Sequence, residues 1–221
     1  MSEEDKSTSE ELEQSQLDVE AIEIDESKSA PTDRADNGPY DVAEVPSMRP
    51  YIDMGGVKVA PREGLKVRLE VDEKSKRIVA VSLDYQGSTL QVQAFSSPKS
   101  TGLWNSLRAQ LAKNFTSQKA TVTDREGALG AELFVIPPQG KAGQAARFVG
   151  VDGPRWTLRG VIVGPAAQGG EAGAGIESVF REIVVVRGDS PMPPSELLQL
   201  KVPAGMQAAR DKAQAQEQGD Q

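Results

Sequence analysis

The sequence predicts a single α+β domain: a mostly antiparallel sheet with two helices packed on one face, behind a disordered acidic N-terminal tail. Three observations carry that expectation. Consecutive stretches of alternating apolar and polar residues are joined by turns too short for a parallel crossover, the period switches once to that of an amphipathic helix, and alternation then resumes.

The first strands are "VKVA" at 57–60, "LKVRLEV" at 65–71, "RIVAVSLDY" at 77–85 and "STLQVQAFS" at 88–96. Between them stand "PREG", "DEKSK" and "QG", all turn chemistry. In the fourth strand Leu90, Val92 and Ala94 share one face, and Gln91, Gln93 and Phe95 share the other, a half-wet pattern. The period then changes. Leu103, Leu107, Leu111 and Phe115 recur every four residues beside Trp104, which makes an amphipathic helix with Thr101 placed to cap its start.

Strands resume at "KATVTDRE" (119–126), "AELFVIP" (131–137), "ARFVGVD" (146–152) and "RWTLRGVIVG" (155–164). The run "GPAAQGGEAGAG" reads as a flexible glycine and alanine loop, followed by a short helix over 176–181 and an apolar strand over 183–186. The proline-controlled "SPMPPSELLQLKVP" is expected to run extended over the surface or along a sheet edge.

Charge is distributed unevenly. Residues 1–46 hold 15 Asp and Glu against 3 Lys and Arg, so the formal −8 of the whole chain conceals a remainder of +4. A segment that acidic cannot offset its ordering entropy, and the organisation expected is a disordered tail over 1–37, a folded unit over 38–203 and a flexible C-terminal tail over 204–221. The chain has no Cys and no His, which excludes thiol nucleophiles, disulfides, imidazole bases and cysteine or histidine metal sites. No cofactor and no metal are expected. The acidic N-terminus lacks a signal-peptide pattern and no window reaches 18 apolar residues, so no membrane contact is expected.

Candidate binding residues cluster in "FVGVDGPRWTLRG", where a tight turn at Asp152-Gly153-Pro154 sets Arg147, Arg155 and Arg159 on adjacent hairpin arms. In an extended strand Trp156, Leu158 and Ile162 take one side, and Arg155, Thr157 and Arg159 the other. Arg155 and Arg159 are then about 13 Å apart at roughly 3.3 Å per residue, spaced for two anionic groups on a chain-like ligand. Cross-strand pairing with Glu132 or Asp124 competes with that reading. Arg181 and Arg187 complete the candidate basic face. Trp104, Leu107, Trp156 and Leu158 read as core anchors. The glycine-rich stretches match no phosphate loop, and the "RGD" of residues 187–189 reads as a chance triplet. The acids Glu70, Asp72 and Glu73 form a solvated turn, while Glu177 and Glu182 flank the short helix; neither set makes an acid pair from sequence alone.

The stretches "GPYDVAEVP", "IDMGGVKVAP", "LQVQAFSSPKSTGLWNSLR", "GVDGPRWTLRGVIVGP" and "VFREIVVVRGDSPMPPSELLQLKVP" resemble an uncharacterised actinobacterial family filed as a domain of unknown function, number 3710. The resemblance covers 38–203, and the block 150–164 is its most specific part. It implies a cytoplasmic housekeeping context and makes "GPYDVAEVP" part of the folded unit. It supplies no catalytic residue. The function expected is a non-enzymatic cytoplasmic binding or adaptor module whose basic sheet face meets a protein partner with an acidic surface. The alternatives are single-stranded nucleic-acid binding on that face, autoinhibited by the tail, and an enzyme on a phosphorylated small molecule using Glu132 or Asp152.

Overall fold

The structure, a computed structural model, describes residues 25–45, 49–141 and 144–205. Its main body is a seven-stranded sheet. The strands, in sheet order, are β4 (Lys66–Val71), β5 (Ile78–Tyr85), β6 (Ser88–Ser96), β10 (Trp156–Val163), β9 (Ala146–Asp152), β8 (Gly130–Ile136) and β7 (Thr121–Gly127). Every neighbouring pair is antiparallel. A small second sheet joins β1 (Tyr40–Asp41), β11 (Val184–Val185), β3 (Val57–Val59) and β2 (Ile52–Asp53), with β1 and β11 parallel. Among the described residues the α-helices of the domain include a single turn α1 (Arg34–Asn37), then α2 (Trp104–Ser117) and α3 (Gly170–Arg181). The fold is α+β with mostly antiparallel sheets, as the alternation predicts.

The two longer helices lie on opposite faces of the large sheet, not on one. Strand alternation makes this plain: Val149 and Val151 of β9 pack with Ile176, Val179 and Phe180 of α3, whereas Phe148 packs with Trp104, Leu107, Leu111 and Phe115 of α2. The α3 face also receives Met54, Val57, Val59 and Val185 from the small sheet and forms the larger core, with Leu83, Leu90, Val92, Trp156, Leu158 and Ile162. Trp104, Trp156 and Leu158 are fully buried and Leu107 is packed against the α2 core, so the four anchors lie in two cores. Burying side chains of this size stabilises by roughly 1.5–3 kcal/mol each. Helix α2 covers β7, β8 and β9 and leaves the β4, β5, β6 and β10 part of its face lined by half-buried polar side chains, among them Gln91, Gln93 and Arg159.

Three local expectations are corrected. Thr101 does not cap α2; the buried Asp152 carboxylate at the end of β9 does so from outside, accepting the N–H groups of Leu103 (3.0 Å) and Trp104 (3.3 Å). The supposed Gly/Ala loop holds a 3-10 turn at Pro165–Gln168 and the first half of α3. Glycine is tolerated there because the helix approaches closely: a Cβ on Gly173 would stand 3.3 Å from the Ala166 carbonyl oxygen, and one on Gly175 2.9 Å from the Gln86 side chain. Finally, the folded unit begins before Gly38. Residues 25–37 include α1 and lie across the β9–β10 turn, with the Ser29 carbonyl accepting from Asp152 N (2.8 Å) and Glu26 O from Gly102 N (2.7 Å). The rest of the expected tail, 1–24, lies outside the described residues, as do 206–221 of the C-terminal one.

"GPYDVAEVP" contributes β1 and a 3-10 turn over Val42–Glu44, closed by a capping box between Asp41 and Glu44. After β11 the proline-controlled segment follows a sheet edge as expected. Past the end of its pairing with β5, β6 pairs instead with this segment, through Leu198 N to Ala94 O (2.8 Å) and Ser96 N to Glu196 O (2.8 Å).

Candidate anion-binding groove

Four stretches distant in sequence meet at the end of the large sheet where β6 stops and β10 begins. They are the turn after β1, the β9–β10 turn, the loop after β11, and Lys99 beyond β6. Together they line a groove of about 480 Å³ that includes Asp41, Glu44, Lys99, Arg155, Arg187 and Asp189.

The acids of the arm are already occupied. Asp41 accepts the Trp156 indole N–H (2.9 Å) and the Ala43 N–H (2.9 Å). Glu44 accepts the Asp41 N–H (2.7 Å) and both Arg34 terminal nitrogens (2.8 and 2.6 Å), a bidentate pair that Arg34 extends by lying 5.9 Å from the centre of the Trp156 ring. Burial pushes the Glu44 carboxyl up, but the Arg34 guanidinium and the Asp41 N–H more than reverse this and hold it below its ordinary value. The turn itself is clamped by Lys28, whose ammonium donates to the carbonyls of Gly153 (2.6 Å) and Pro154 (2.8 Å). Desolvation lowers the Lys28 pKa, opposed by the nearby Asp152 charge.

The cations of the groove are held differently. Arg155 Nη2 donates to the Gly188 carbonyl at 2.7 Å, and Arg187 Nη1 donates to the same carbonyl at 3.2 Å and to Ser190 O at 2.6 Å. Gly188 has φ of 68°, the left-handed conformation glycine adopts readily, and this aims its carbonyl at both guanidinium groups. Among the described residues the carboxylate nearest Arg155 is that of the fully exposed Asp189, at 3.8 Å, and Arg187 has no carboxylate within ion-pair distance. The Arg187 Nε is buried without a hydrogen-bond partner. Two guanidinium groups thus converge on one neutral acceptor with an exposed lysine alongside. This is an arrangement suited to a carboxylate or phosphate, whose geometry matches the guanidinium fork.

The remaining predicted arginines lie elsewhere. Arg147 does not share the face of Arg159: its register partner is Ile162, which puts it on the α3 side, 3% exposed, paired with Glu132 at 2.7 Å and with Glu177 of α3. Arg125 joins Glu132 at 2.8 Å, and Gly127 leaves room for that carboxylate. This is a buried network that fastens α3 to the sheet, and Glu132 belongs to it and not to the groove. Asp152, the other acid considered for catalysis, is engaged by Ser29, Leu103, Trp104 and Thr157. Arg181 pairs with Asp33 (3.2 Å) and donates to Ala128 O (2.7 Å), which secures residues 33–38 to the domain. Arg159 stands alone on the α2 side, bonded to Gln93. Arg108, not Arg155 or Arg159, takes Asp124. The expected basic face is therefore divided: Arg155 and Arg187 come together, and Arg147, Arg159 and Arg181 do not join them.

Asp41, Glu44, Lys99 and Asp189 line the groove without having been expected there, and Lys28 and Arg34 support it by holding the β9–β10 turn and Glu44. The Asp41 to Glu44 spacing is a capping-box signature and was the one readable sign that this arm is built to hold a turn. Among the described residues no group of three or more His, Cys, Asp or Glu side chains could hold a metal ion, and no helix is long and apolar enough to cross a membrane.

An antiparallel α+β domain with a mixed-charge groove defines a class, not a reaction. The chain belongs to the family described as "Protein of unknown function (DUF3710)", whose model matches residues 38–209. Comparisons with curated proteins and with solved structures return no match.

Proposed function

We propose that this protein is a non-enzymatic cytoplasmic binding or adaptor module, and that its groove receives an acidic segment of a protein partner. The observation that carries the reading is the convergence of Arg155 and Arg187 on the Gly188 carbonyl, without a carboxylate in close contact. Two guanidinium groups held that way gain more from an incoming carboxylate than from the neutral oxygen they share. Val42, Ala43 and Pro154 give the groove an apolar part, and Asp41, Glu44 and Asp189 give it acids. That mixture suits a peptide better than a uniformly charged phosphate backbone.

The test is fluorescence anisotropy of the full chain with a labelled peptide carrying a Glu-Glu pair between Gly-Ser flanks. Binding should weaken as salt rises and fall at least about tenfold in the Arg155→Gln, Arg187→Gln double variant, the loss of roughly 1.4 kcal/mol or more. Unchanged affinity in that variant overturns the reading. So does a labelled single-stranded oligonucleotide that binds more tightly than the peptide and depends on the same two arginines.

A further inference from the structure

β4 is an outer strand of the large sheet, paired on one side by β5 and on the other, among the described residues, by no strand. Its free side therefore offers a row of backbone N–H and C=O groups on which another strand can add. The irregularity in its pairing with β5 does not blunt this edge. Between the pairs Glu70–Ala80 and Val71–Ile78 the extra residue stands on β5, so β4 itself keeps its alternation.

The side chains along this edge carry an ordered charge pattern. Lys66, Arg68, Glu70 and, where the hairpin turn begins, Asp72 share one face, two cations followed by two anions. Asp72 still belongs to the hairpin, its N–H donating to Arg77 O at 2.9 Å. Arg68 gives two of its nitrogens to Asp84 and stays 61% exposed, while Glu70 accepts from Ser82 and Gln91. Val67, Leu69 and Val71 take the other face. Val67 and Leu69 pack on the larger core, whereas Val71 is 52% exposed, more than any other large apolar side chain among the described residues.

A strand of that pattern complements itself in one antiparallel register. With a two-fold axis at Leu69, Lys66 faces Asp72 of the other copy, Arg68 faces Glu70, Val67 faces Val71 and Leu69 faces Leu69. Every cation then meets an anion and every apolar side chain another. Moving the axis by one residue sets Arg68 or Glu70 against its own copy, and a parallel in-register strand sets like charges opposite throughout. We infer that two copies of this chain associate through their β4 edges, joining their large sheets into one antiparallel sheet about an axis at Leu69. Backbone hydrogen bonds make the contact, and the charge order selects the register and the partner. One strand from each copy is a small interface, so the dimer is weak and forms as concentration rises. None of these residues lines the groove, and the inference is independent of the groove reading.

The experiment is sedimentation velocity of the full chain over roughly 10 μM to 1 mM, where the mass should rise toward that of a dimer. Lys66→Glu sets like charges opposite each other twice per dimer and should weaken association about tenfold. Lys66 is exposed, so the thermal midpoint of that variant should hold, which excludes unfolding as the cause. The chain has no Cys, so introduced cysteines report the register whatever the stability of the charge variant. In a mixture of Val67→Cys and Val71→Cys chains a short bis-maleimide should join one kind to the other. Either kind alone should be joined far less, because each of these residues lies four positions, about 13 Å, from its own copy. A monomer throughout the range overturns the inference, as does a dimer that Lys66→Glu leaves intact. Cross-linking of either kind alone as efficient as in the mixture overturns the register about Leu69.

Discussion

Asp152 joins more of the fold than any other single polar side chain on the site's side of the sheet, and replacing it with alanine measures that role. Its carboxylate is 2% exposed and accepts from Ser29 N (3.0 Å), Leu103 N (3.0 Å), Trp104 N (3.3 Å) and the Thr157 hydroxyl (2.5 Å). Trp104 and Thr157 are fully buried, so their donors cannot turn to water, and each loss costs about 1–3 kcal/mol. The Ser29 and Leu103 donors are half-buried and recover part of theirs from solvent. Removing a negative charge from the start of α2 adds about 0.5–1 kcal/mol. The expected total for Asp152→Ala is about 3–5 kcal/mol, a fall of roughly 6–20 °C in Tm for a domain of this size. Asp152→Asn keeps one acceptor oxygen and should cost about half as much. Urea unfolding followed by circular dichroism reads the loss, and limited proteolysis should show earlier cleavage within 25–30, because that segment is fastened through Ser29. A loss under about 1 kcal/mol for Asp152→Ala, or unchanged cleavage there, refutes the assignment of Asp152 as the joint between arm, helix and turn.

Two further outcomes follow from the packing and the charges. A Cβ on Gly150 would stand 2.1 Å from the Trp104 indole, which cannot retreat because its Nε1 donates to Ala131 O at 2.7 Å; Gly150→Ala should therefore cost about 2–3 kcal/mol in thermal or urea unfolding, and a neutral result contradicts the stacking. Glu44 has a folded-state pKa below its unfolded value of about 4.3, so its contribution is fully present above that value and is lost as pH falls through the lower folded one; Glu44→Gln should destabilise at neutral pH and flatten the acid limb of stability, and a parallel pH profile in the variant contradicts the Arg34 pairing.

The strands were readable because half-buried antiparallel strands alternate in polarity. "STLQVQAFS" gives β6 to the residue, and "LKVRLEV" overshoots β4 by one. What alternation could not supply was the second covered face. All residues of β9 from Arg147 to Asp152 are buried, and the unbroken "FVGV" within it is the local trace of a strand packed on both sides. The small sheet escaped because three of its strands are two residues long, held by pairing between segments remote in sequence. The α3 helix was legible in part: Ala172, Ile176, Val179 and Phe180 make an apolar stripe, but glycine content argued for a loop, and the Ala166 carbonyl, 3.3 Å from a Cβ placed on Gly173, is a tertiary approach that local sequence does not encode. At the site, the face of Arg159 followed from strand period, whereas Arg155 stands in the β9–β10 turn closed by Gly153 N–H to Trp156 O (2.8 Å), before β10 begins, and strand alternation does not place it. The face of Arg147 depended on the register across the Asp152–Trp156 turn, and that register sets it opposite Ile162, on the buried side. The convergence of Arg187 with Arg155 depends on the path from β11 back to β6, which no local pattern encodes.

The central claim is where an acidic segment binds, and amide chemical-shift mapping of the full chain titrated with the Glu-Glu peptide tests it most directly. The account predicts saturable shifts at Asp41 to Glu44, Lys99, Arg155 and Arg187 to Asp189, all removed by the Arg155→Gln, Arg187→Gln double variant. Saturable shifts confined to another surface, such as a shallow depression lined by Lys66, Asp84, Tyr85 and Thr89, contradict it, as does a titration without shifts.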